Sequence, residues 1–423
     1  MAVENYTPSP HHIEATVDSA CEASIVLSQI PGSERNQALK AMAMALEQHQ
    51  NDILEANTLD LEANRETGIP EILGEWLKLT PKRLETTIQI LQRLGELPDP
   101  IGRVVSASYQ LEQCQTYYQS IPLGVVALIY EAFPELGAIA AGLCLKTANS
   151  LLLVGGTEAY HSNQIITQIL QSKLEEMGMP LGGLEMISPQ EDAALQPLVI
   201  QNPYINLAIP YGRPHLINQV VRQATVPVLR SALGNCYLYW SATAGVDLVR
   251  WMILESHNSQ PDAVNAIEKV LIDPNQKLTF LTRLWNSLRE AGFVLKGDPQ
   301  MVEAFPELEL ASDAEWDQPY LNKTITFRFV EDIQQAITIM NQFSSGHANC
   351  LATESYTESR QFALNVNSAM TYINASPQFS RHQNRGDSIF LGMSNQKGYR
   401  RGLIGLEALT TVQHIVQGNG RFS

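Results

Sequence analysis

The first hundred residues carry apolar positions at the spacing of α-helices. Residues 32–49 have an apolar stripe of helical period, and Ser33 is a candidate N-cap for them. The members of that stripe are Leu39, Met42, Ala43 and Leu46. Another helix is predicted to begin after Thr80, whose hydroxyl can accept a backbone N–H, because Pro81 fits the first helical position. These patterns predict a helical region over residues 11–98.

Beyond residue 121 the chain alternates short apolar runs with helical patterns. The apolar runs predict strands at 123–130, 150–156, 184–188, 205–210 and 226–231. The helical patterns between them fall at 134–149, 157–178, 191–200 and 215–224. Strand–helix alternation at this spacing predicts a parallel sheet covered on both faces, as in a Rossmann-like nucleotide domain.

Two further regions are predicted outside this alternation. Residues 104–121 alternate with period two and are polar on one face, which indicates a strand pair in an arm or edge hairpin. A second α/β unit begins near Gly245 and continues to about residue 400. Its predicted elements are strands at 270–272, 325–330 and 370–376 and a helix at 332–343.

Composition and charge limit the classes of partner. The chain has 423 residues, enough for two or three domains, and a formal net charge of −16. A negative field of this size repels nucleic acid and anionic membrane but leaves room for a local basic pocket that binds a small acidic metabolite. No signal sequence or apolar run of membrane-spanning length is evident, so we expect a cytoplasmic protein. The five scattered cysteines fit reduced thiols, and no metal-ligand spacing is present.

Gly155 and Gly156 follow a predicted strand and precede a predicted helix. Such glycines either let a phosphate approach backbone N–H groups or serve only a tight turn. Longer strings are more specific than this pair: IPLGVVALIYEA, LCLKTAN, GGTEAYHSN and RGLIGLEALTT. Together they resemble γ-glutamyl phosphate reductase, also called glutamate-5-semialdehyde dehydrogenase, of the aldehyde dehydrogenase superfamily. The resemblance runs from residue 80 to the end of the chain.

The resemblance implies an α/β, aldehyde-dehydrogenase-like fold with three parts. A Rossmann-like cofactor-type domain is expected at residues 1–104 and 120–239. A catalytic-type domain is expected at 240–405. An oligomerisation arm is expected at 105–119 and 406–423, which implies a homo-oligomer.

The family reduces L-glutamyl 5-phosphate with NADPH to the semialdehyde, a step of proline biosynthesis. A cysteine thiolate attacks the acyl phosphate, phosphate leaves, and hydride transfer to the thioester releases the aldehyde. The covalent intermediate splits one difficult displacement into two easier steps. The chemistry also needs hydrogen-bond donors at the developing oxyanion and a cofactor that supplies the hydride.

This chain departs from the family pattern at the nucleophile and oxyanion positions. The family motif T-Q-R-P-S-x-C-N reads N-S-Q-P-D-A-V-N here. Val264 therefore stands where the resemblance places the nucleophilic cysteine, with Gln260 in place of an arginine and Asn265 retained. The family motif E-A-R-P-N reads EAFPE, so that Phe133 replaces an arginine and Glu135 replaces the asparagine donor. A carboxylate at that position is expected to repel an oxyanion.

Further departures fall where the family binds its cofactor and substrate. The family motif I-P-R-G-G reads IPYGR, with Tyr211 and Arg213 at the changed positions. The motif G-G-K-E reads GGTE, so that Thr157 replaces a lysine beside Glu158. Phe390 falls where a glutamate is expected, in a looser alignment. Gly155, Gly156, Thr157 and Glu158 are thus the cofactor-binding candidates for NADP, and the loss of cations predicts weak or absent binding.

Cys236 and His257 are the remaining candidates for chemistry. Cys236 is either a relocated nucleophile or an inert structural thiol, and burial favours the second alternative. His257 lies where the family has a lysine, and a solvated or hydrogen-bonding role is expected. Cys144 and Cys350 are expected in the core.

Two functions of different class follow from these observations. The first is a catalytically inactive homologue, a pseudoenzyme with a binding or regulatory role, for which a proline-pathway enzyme is a candidate partner. The second is an active oxidoreductase of the glutamate-5-semialdehyde dehydrogenase type with an altered mechanism or substrate.

Overall fold

The structure is a computed structural model. It describes residues 10–106, 114–187, 198–200, 204–259, 261–382, 388–398, 400–418 and 420. The chain divides into two compact units. Unit 1 comprises residues 1–230, 382–391 and 404–423, and unit 2 comprises residues 231–381 and 392–403.

Unit 1 begins with a helical region, as the sequence predicts. Its helices are α1 Pro10–Gln29, α2 Gly32–Gln48, α3 Gln50–Thr67, α4 Glu71–Leu77 and α5 Pro81–Leu94. The predicted cap of α5 is confirmed, because the Thr80 hydroxyl accepts the Arg83 N–H at 3.2 Å. The predicted Ser33 cap is wrong. Pro31 is the N-cap, since the chain turns at this proline and its carbonyl accepts the N–H groups of Glu34 and Arg35.

A parallel four-stranded sheet of order β5-β4-β3-β6 follows. Its strands are β3 Val125–Tyr130, β4 Ser150–Gly155, β5 Leu184–Met186 and β6 Leu207–Tyr211. The connecting helices are α6 Pro134–Lys146, α7 Tyr160–Glu176 and Pro214–Gln223. The strand predicted at 226–231 is wrong: Val228 makes a single bridge to Ala208, and Pro227 has no N–H to extend the pairing. Most of the helix predicted at 191–200 lies outside the described residues.

Helices cover both faces of this sheet. On one face, side chains of α1 such as Val17 join a core with strand residues such as Ile129 and with Val220 of the helix Pro214–Gln223. On the other face, α6 and α7 pack against α2. The continuous burial of β3 is typical of a parallel strand enclosed on both sides.

Unit 1 also holds an antiparallel three-stranded sheet of order β1-β2-β16. Its strands are β1 Val104–Ser106, β2 Cys114–Pro122 and β16 Thr410–Gly418. The strand pair predicted in residues 104–121 is confirmed by the pairing of β1 with β2. β2 pairs along its whole length with β16, from Cys114 opposite Gly418 to Pro122 opposite Thr410.

Unit 2 is built on a parallel seven-stranded sheet of order β10-β9-β11-β8-β7-β12-β13. Its strands are β7 Cys236–Trp240, β8 Ile267–Ile272, β9 Val294–Gly297, β10 Glu309–Leu310, β11 Thr324–Phe329, β12 Ala348–Ala352 and β13 Met370–Ile373. Its helices are Val246–Ser256, Leu278–Glu290, Pro299–Ala304, Ile333–Phe343 and Tyr356–Asn365. Two short strands, β14 Gly392–Ser394 and β15 Gly402–Ile404, form a separate sheet.

The helices of unit 2 also lie on both faces of their sheet. Trp285 of the helix Leu278–Glu290 packs with Val249 of the helix Val246–Ser256 in one core. Met340 of the helix Ile333–Phe343 packs with Tyr239 and Phe362 in the other. Within the described ranges, no helix has both the length and the apolar character needed to cross a membrane.

Candidate active site

The carboxyl ends of β3, β4 and β6 lie side by side in unit 1. Tyr130 pairs with Gly155 on one side and with Tyr211 on the other. The residues that follow these strands therefore share one edge, which we call the carboxyl edge: residues 130–135, 155–158 and 211–213. Ligands of open α/β sheets bind at such an edge. Most of the sequence-predicted site residues of unit 1 lie here.

Glu135 lies on this edge in a buried ion pair. It begins α6, and both of its carboxylate oxygens accept from Nη2 of Arg83, at 2.6 and 2.8 Å, while Nε donates to Oε1 at 2.9 Å. Both side chains are less than a tenth exposed. The Arg83 guanidinium also donates to the carbonyls of Lys78 and Trp76. The carboxylate of Glu135 is therefore neutralised within the protein and holds α6 against α5.

Aromatic rings fill the space beside this ion pair. Phe133 stacks on Trp76 with a centroid distance of 4.6 Å and meets Tyr211 edge to face at 5.4 Å. Phe133 and Tyr211 are completely buried. Both occupy positions where the resemblance expects arginine, so a packed aromatic cluster stands in place of two cations. Edge-to-face and offset-stacked rings stabilise one another beyond the burial of their surface.

The two glycines of the carboxyl edge continue β4 in an extended backbone up to the short helical turn that begins at Thr157. Gly155 ends β4, and the Gly156 N–H donates to the Tyr130 carbonyl at 2.8 Å. The side chain of Glu158 folds back over Gly156, where an added Cβ would lie 2.2 Å from its carboxylate oxygen. Thr157 is exposed in the turn between them. These contacts give the glycine pair a packing role, and its role in cofactor binding stays a prediction.

Glu158 also holds the strained backbone that follows β3. Its Oε1 accepts the Ala132 N–H at 2.7 Å. Ala132 has a φ of +35°, which residues other than glycine rarely adopt. Burial, more than the nearby charge of Glu131, raises the pKa of the Glu158 carboxyl. Glu131 in turn pairs with Arg213, whose Nη2 lies 2.8 Å from its Oε1.

Val264 lies in unit 2, in the turn that precedes β8. Its side chain is completely buried. Its carbonyl accepts the Gly234 N–H at 2.9 Å and lies 2.8 Å from Nε2 of His347. A carbonyl only accepts, so Nε2 must carry the proton in this contact. Burial lowers the pKa of His347 to about 4, which keeps the imidazole neutral at pH 7.

Cys236 lies next to the same histidine. Its Sγ is 3.4 Å from Nε2 of His347. Because that nitrogen already bears a proton and donates it to Val264, it cannot remove the thiol proton. Burial raises the pKa of Cys236 well above its usual value, and the nearby Cys350 and Glu268 act in the same direction. Cys236 is therefore a buried, protonated thiol.

Asn265 is buried beside Val264. Its Nδ2 donates to the Pro377 carbonyl at 2.6 Å and lies 3.3 Å from the Tyr372 hydroxyl. Its Oδ1 has no hydrogen-bond partner among the described residues. Asp262, in the same turn, forms a buried ion pair with Arg381 at 2.8 Å. The turn that precedes β8 is therefore held by contacts with residues more than a hundred positions away in the sequence.

Gln260, Phe390 and His257 are the remaining candidates. Gln260 lies outside the described residues. Phe390 is half-buried in unit 1 beside Gly405. His257 caps the helix Val246–Ser256, and its Nε2 lies 3.0 Å from the Ile267 carbonyl. Burial lowers its pKa to about 4, in keeping with the expected hydrogen-bonding role. Among the described residues, no group of three or more metal-binding side chains converges.

Comparison with known structures first defines the class. The chain has an aldehyde-dehydrogenase-like fold, as expected: a probable aldehyde dehydrogenase from Listeria monocytogenes superposes with a TM-score of 0.72 at 14% identity. That match covers 98% of this chain and 97% of the other. A crystal structure of γ-glutamyl phosphate reductase from Thermotoga maritima gives a TM-score of 0.88 at 30% identity, covering 97% and 99%.

Sequence comparison then identifies the family. A γ-glutamyl phosphate reductase 2 from Synechocystis sp. is 50% identical over 406 residues, 96% of this chain and 97% of that protein. The γ-glutamyl phosphate reductase of Gloeobacter violaceus is 37% identical over 409 residues, 97% of each. This chain belongs to the γ-glutamyl phosphate reductase family, which confirms the resemblance seen in the sequence. No family model matches the chain.

Sequence reasoning missed the partners of several site residues. Arg83 was visible in the TPKRL string, but nothing local indicates that it meets a carboxylate 52 positions away. His347 lies in the HANC string, and its contact with Val264 spans 83 positions. The Glu131 and Arg213 pair was also missed. Glu131 is the glutamate that the family motif E-A-R-P-N retains, so the one available signal was the new charge at position 213.

Proposed function

We propose that this chain is a catalytically inactive binding or regulatory member of its family. The observation that carries the proposal is the residue at position 264. The resemblance requires a thiolate there, and a valine side chain has no atom that can attack an acyl phosphate and form a thioester. The complete burial of Val264 supports a role in packing.

The surroundings of Val264 also argue against a relocated nucleophile. Cys236 is buried, its pKa is raised, and the neighbouring His347 donates to the Val264 carbonyl instead of acting as its base. Reactive cysteines lie in electropositive, partly exposed surroundings. Cys236 is completely buried, and the charge of Lys269 does not offset the effect of burial on its pKa.

The oxyanion position supports the same conclusion. Glu135 stands where the resemblance expects an asparagine donor, and its carboxylate is held by Arg83. A carboxylate offers no N–H to a developing oxyanion, and the loss of one such donor typically costs about 3–4 kcal/mol of transition-state stabilisation.

The alternative is an active reductase with an altered mechanism or substrate. It is favoured by family membership, since the relatives at 50% and 37% identity are named γ-glutamyl phosphate reductases. It requires another group to perform the covalent step or a route that needs no thioester.

We further propose the setting in which this protein acts. NADP is its cofactor class by resemblance, with binding weak or lost. The sheet of β1, β2 and β16 serves as an oligomerisation arm of a homo-oligomer. The protein is cytoplasmic, and its partner is a proline-pathway enzyme or a small acidic metabolite bound in a regulatory role.

An acylation experiment tests whether this chain forms a thioester intermediate. The purified protein is incubated with acetyl phosphate, a simple acyl phosphate, and analysed by intact-mass spectrometry for an adduct that hydroxylamine removes, as it removes thioesters. We expect no such adduct in the wild type or in Cys236→Ala. A labile adduct that is present in the wild type and absent in Cys236→Ala would establish a relocated thiol and contradict the proposal.

A further inference from the structure

Four backbone N–H groups of the carboxyl edge, those of Glu131, Ala132, Gly156 and Arg213, have acceptors within the protein. The Glu131 N–H donates to the Tyr211 carbonyl at 3.2 Å. The Ala132 N–H donates to Glu158, and the Arg213 N–H donates to Oε2 of Glu131 at 2.7 Å. The Gly156 N–H donates to the Tyr130 carbonyl. An anionic ligand at this edge would have to displace a protein acceptor to reach any of these donors.

The same arrangement occurs at the start of α7. The carboxylate of Asp60, on α3, accepts the His161 N–H at 2.9 Å and the Ser162 N–H at 2.8 Å. Asp60 also accepts from the Ser162 hydroxyl and is buried. Helix N-termini attract anions because unpaired N–H groups and the helix dipole point toward them. In this helix a side chain of the protein is the anion.

Arg213 is a cation on the carboxyl edge, two residues after the end of β6. It precedes the helix Pro214–Gln223 as its N-cap and is about one third exposed. Its Nε lies 3.1 Å and its Nη2 2.8 Å from Oε1 of Glu131. The hydrogen bonds from Arg213 to Glu131 raise the pKa of the guanidinium. Relative to the family motif, this chain lacks an arginine at position 211 and has one at position 213. The charge of Arg213 is neutralised by Glu131.

Gly212 packs closely against the Glu131 carboxylate, so little space is left for a ligand in the turn after β6. Gly212 has a φ of +148°, and a Cβ added there would lie 2.5 Å from Oε2 of Glu131. The Glu131 carboxylate therefore sits directly against the turn between β6 and the helix, bonded to both the backbone and the side chain of Arg213. Phosphates of nucleotide ligands bind in such strand-to-helix turns.

We infer that Glu131 and Arg213 determine the ligand specificity of the carboxyl edge: the arginine gained at position 213 pairs with the glutamate that the family motif retains, so its charge is not available to a ligand phosphate and the carboxylate is held in the turn, which excludes dinucleotides. The inference rests on one part of the proposed function, the weak binding of NADPH, and it gives a structural cause for that weak binding.

The test measures the dissociation constants of NADPH and inorganic pyrophosphate by isothermal titration calorimetry. The wild type is expected to bind NADPH at about 1 mM or more weakly. Glu131→Gln frees the guanidinium and is expected to strengthen binding of both probes about tenfold or more, because charged hydrogen bonds to phosphate become available. Glu131→Gln combined with Arg213→Ala lacks both the carboxylate and the guanidinium, and it is expected to bind both probes more weakly than Glu131→Gln alone.

Two controls accompany these variants. Asp247→Asn removes one negative charge from an exposed ion pair with Arg283 and is expected to leave both affinities unchanged. Arg213→Ala alone tests the inference without disturbing Glu131, should Glu131→Gln fail to fold. It is expected to leave the weak wild-type affinity as it is, since the guanidinium is not available to a ligand.

Three results would overturn the inference: equal affinities of the wild type and Glu131→Gln, a gain of the same size in Asp247→Asn, or a loss of affinity in Arg213→Ala. None of them would give the protein a nucleophile. A failure of this inference is therefore distinguishable from a failure of the proposed function, which the acylation experiment tests separately.

Discussion

Arg83 of α5 and Glu135 of α6 form a buried, bidentate ion pair, with Nη2 of the arginine 2.6 and 2.8 Å from the two carboxylate oxygens. The pair joins two helices and fills a position where the resemblance expects a neutral donor for catalysis. Removal of one partner from such a pair leaves an uncompensated charge in the interior. The carboxylate is therefore part of the structural core of unit 1.

The first prediction concerns the stability that depends on this pair. Glu135→Gln is expected to lower the free energy of unfolding by about 3–5 kcal/mol, since it leaves the Arg83 guanidinium buried without its counter-charge. Urea unfolding followed by circular dichroism measures the change. The exposed pair of Arg283 and Asp247 is the control, and Asp247→Asn is expected to cost at most about 1 kcal/mol. Equal effects of the two replacements would argue against a structural role for Glu135.

The second prediction concerns pH. The pKa of His347 is lowered from 6.5 to about 4 by burial, so the folded state favours the neutral imidazole. Because the pKa is lowered, neutral His347 contributes to the free energy of unfolding. This contribution is fully present above about pH 6.5 and is lost as the pH falls toward 4. The difference corresponds to about 3 kcal/mol of unfolding free energy.

Replacement of this histidine isolates its contribution from that of the carboxylates. His347→Gln keeps a donor for the Val264 carbonyl but has no group that titrates in this range. Unfolding free energies measured from pH 7 to pH 4.5 are expected to fall less steeply in His347→Gln than in the wild type. Parallel curves for the two proteins would show that His347 is not held neutral in the folded state.

The third prediction concerns repair of the nucleophile position. Val264→Cys is expected to stay near background in the oxidation of glutamate semialdehyde. The new thiol would be as buried as Val264, and burial disfavours the thiolate. It would also lack the asparagine donor, because Glu135 remains paired with Arg83. Initial rates of NADPH formation measure this, and family-level activity from the single replacement would show that the rest of the site is intact.

Local features of the fold were predictable from the sequence because they depend on neighbouring residues. The Thr80 cap follows from one hydroxyl and the proline after it. Ser33 had the right side chain for a cap, but the backbone had already turned at Pro31. The apolar run at 226–231 suits a strand, yet the missing N–H of Pro227 leaves only the bridge at Val228.

The candidate site was predictable only in part, for a related reason. The absence of a thiol at position 264 is a matter of residue identity, which the sequence displays directly. The partners of Glu135 and Glu131 depend on tertiary contacts across 52 and 82 positions, for which no local pattern exists. Glu135 therefore looked like an isolated repulsive charge in the sequence, whereas the structure pairs it with Arg83.

The measurement that tests the central claim most directly is the steady-state rate of phosphate-dependent oxidation of glutamate semialdehyde with NADP by the wild-type protein. Val264 cannot form the thioester, and removal of a nucleophile typically lowers the rate by a factor of about 10⁴–10⁶. We expect no NADPH formation above background, and Cys236→Ala should behave identically. Robust turnover by the wild type would contradict the account, and its loss in Cys236→Ala would assign the nucleophile to Cys236.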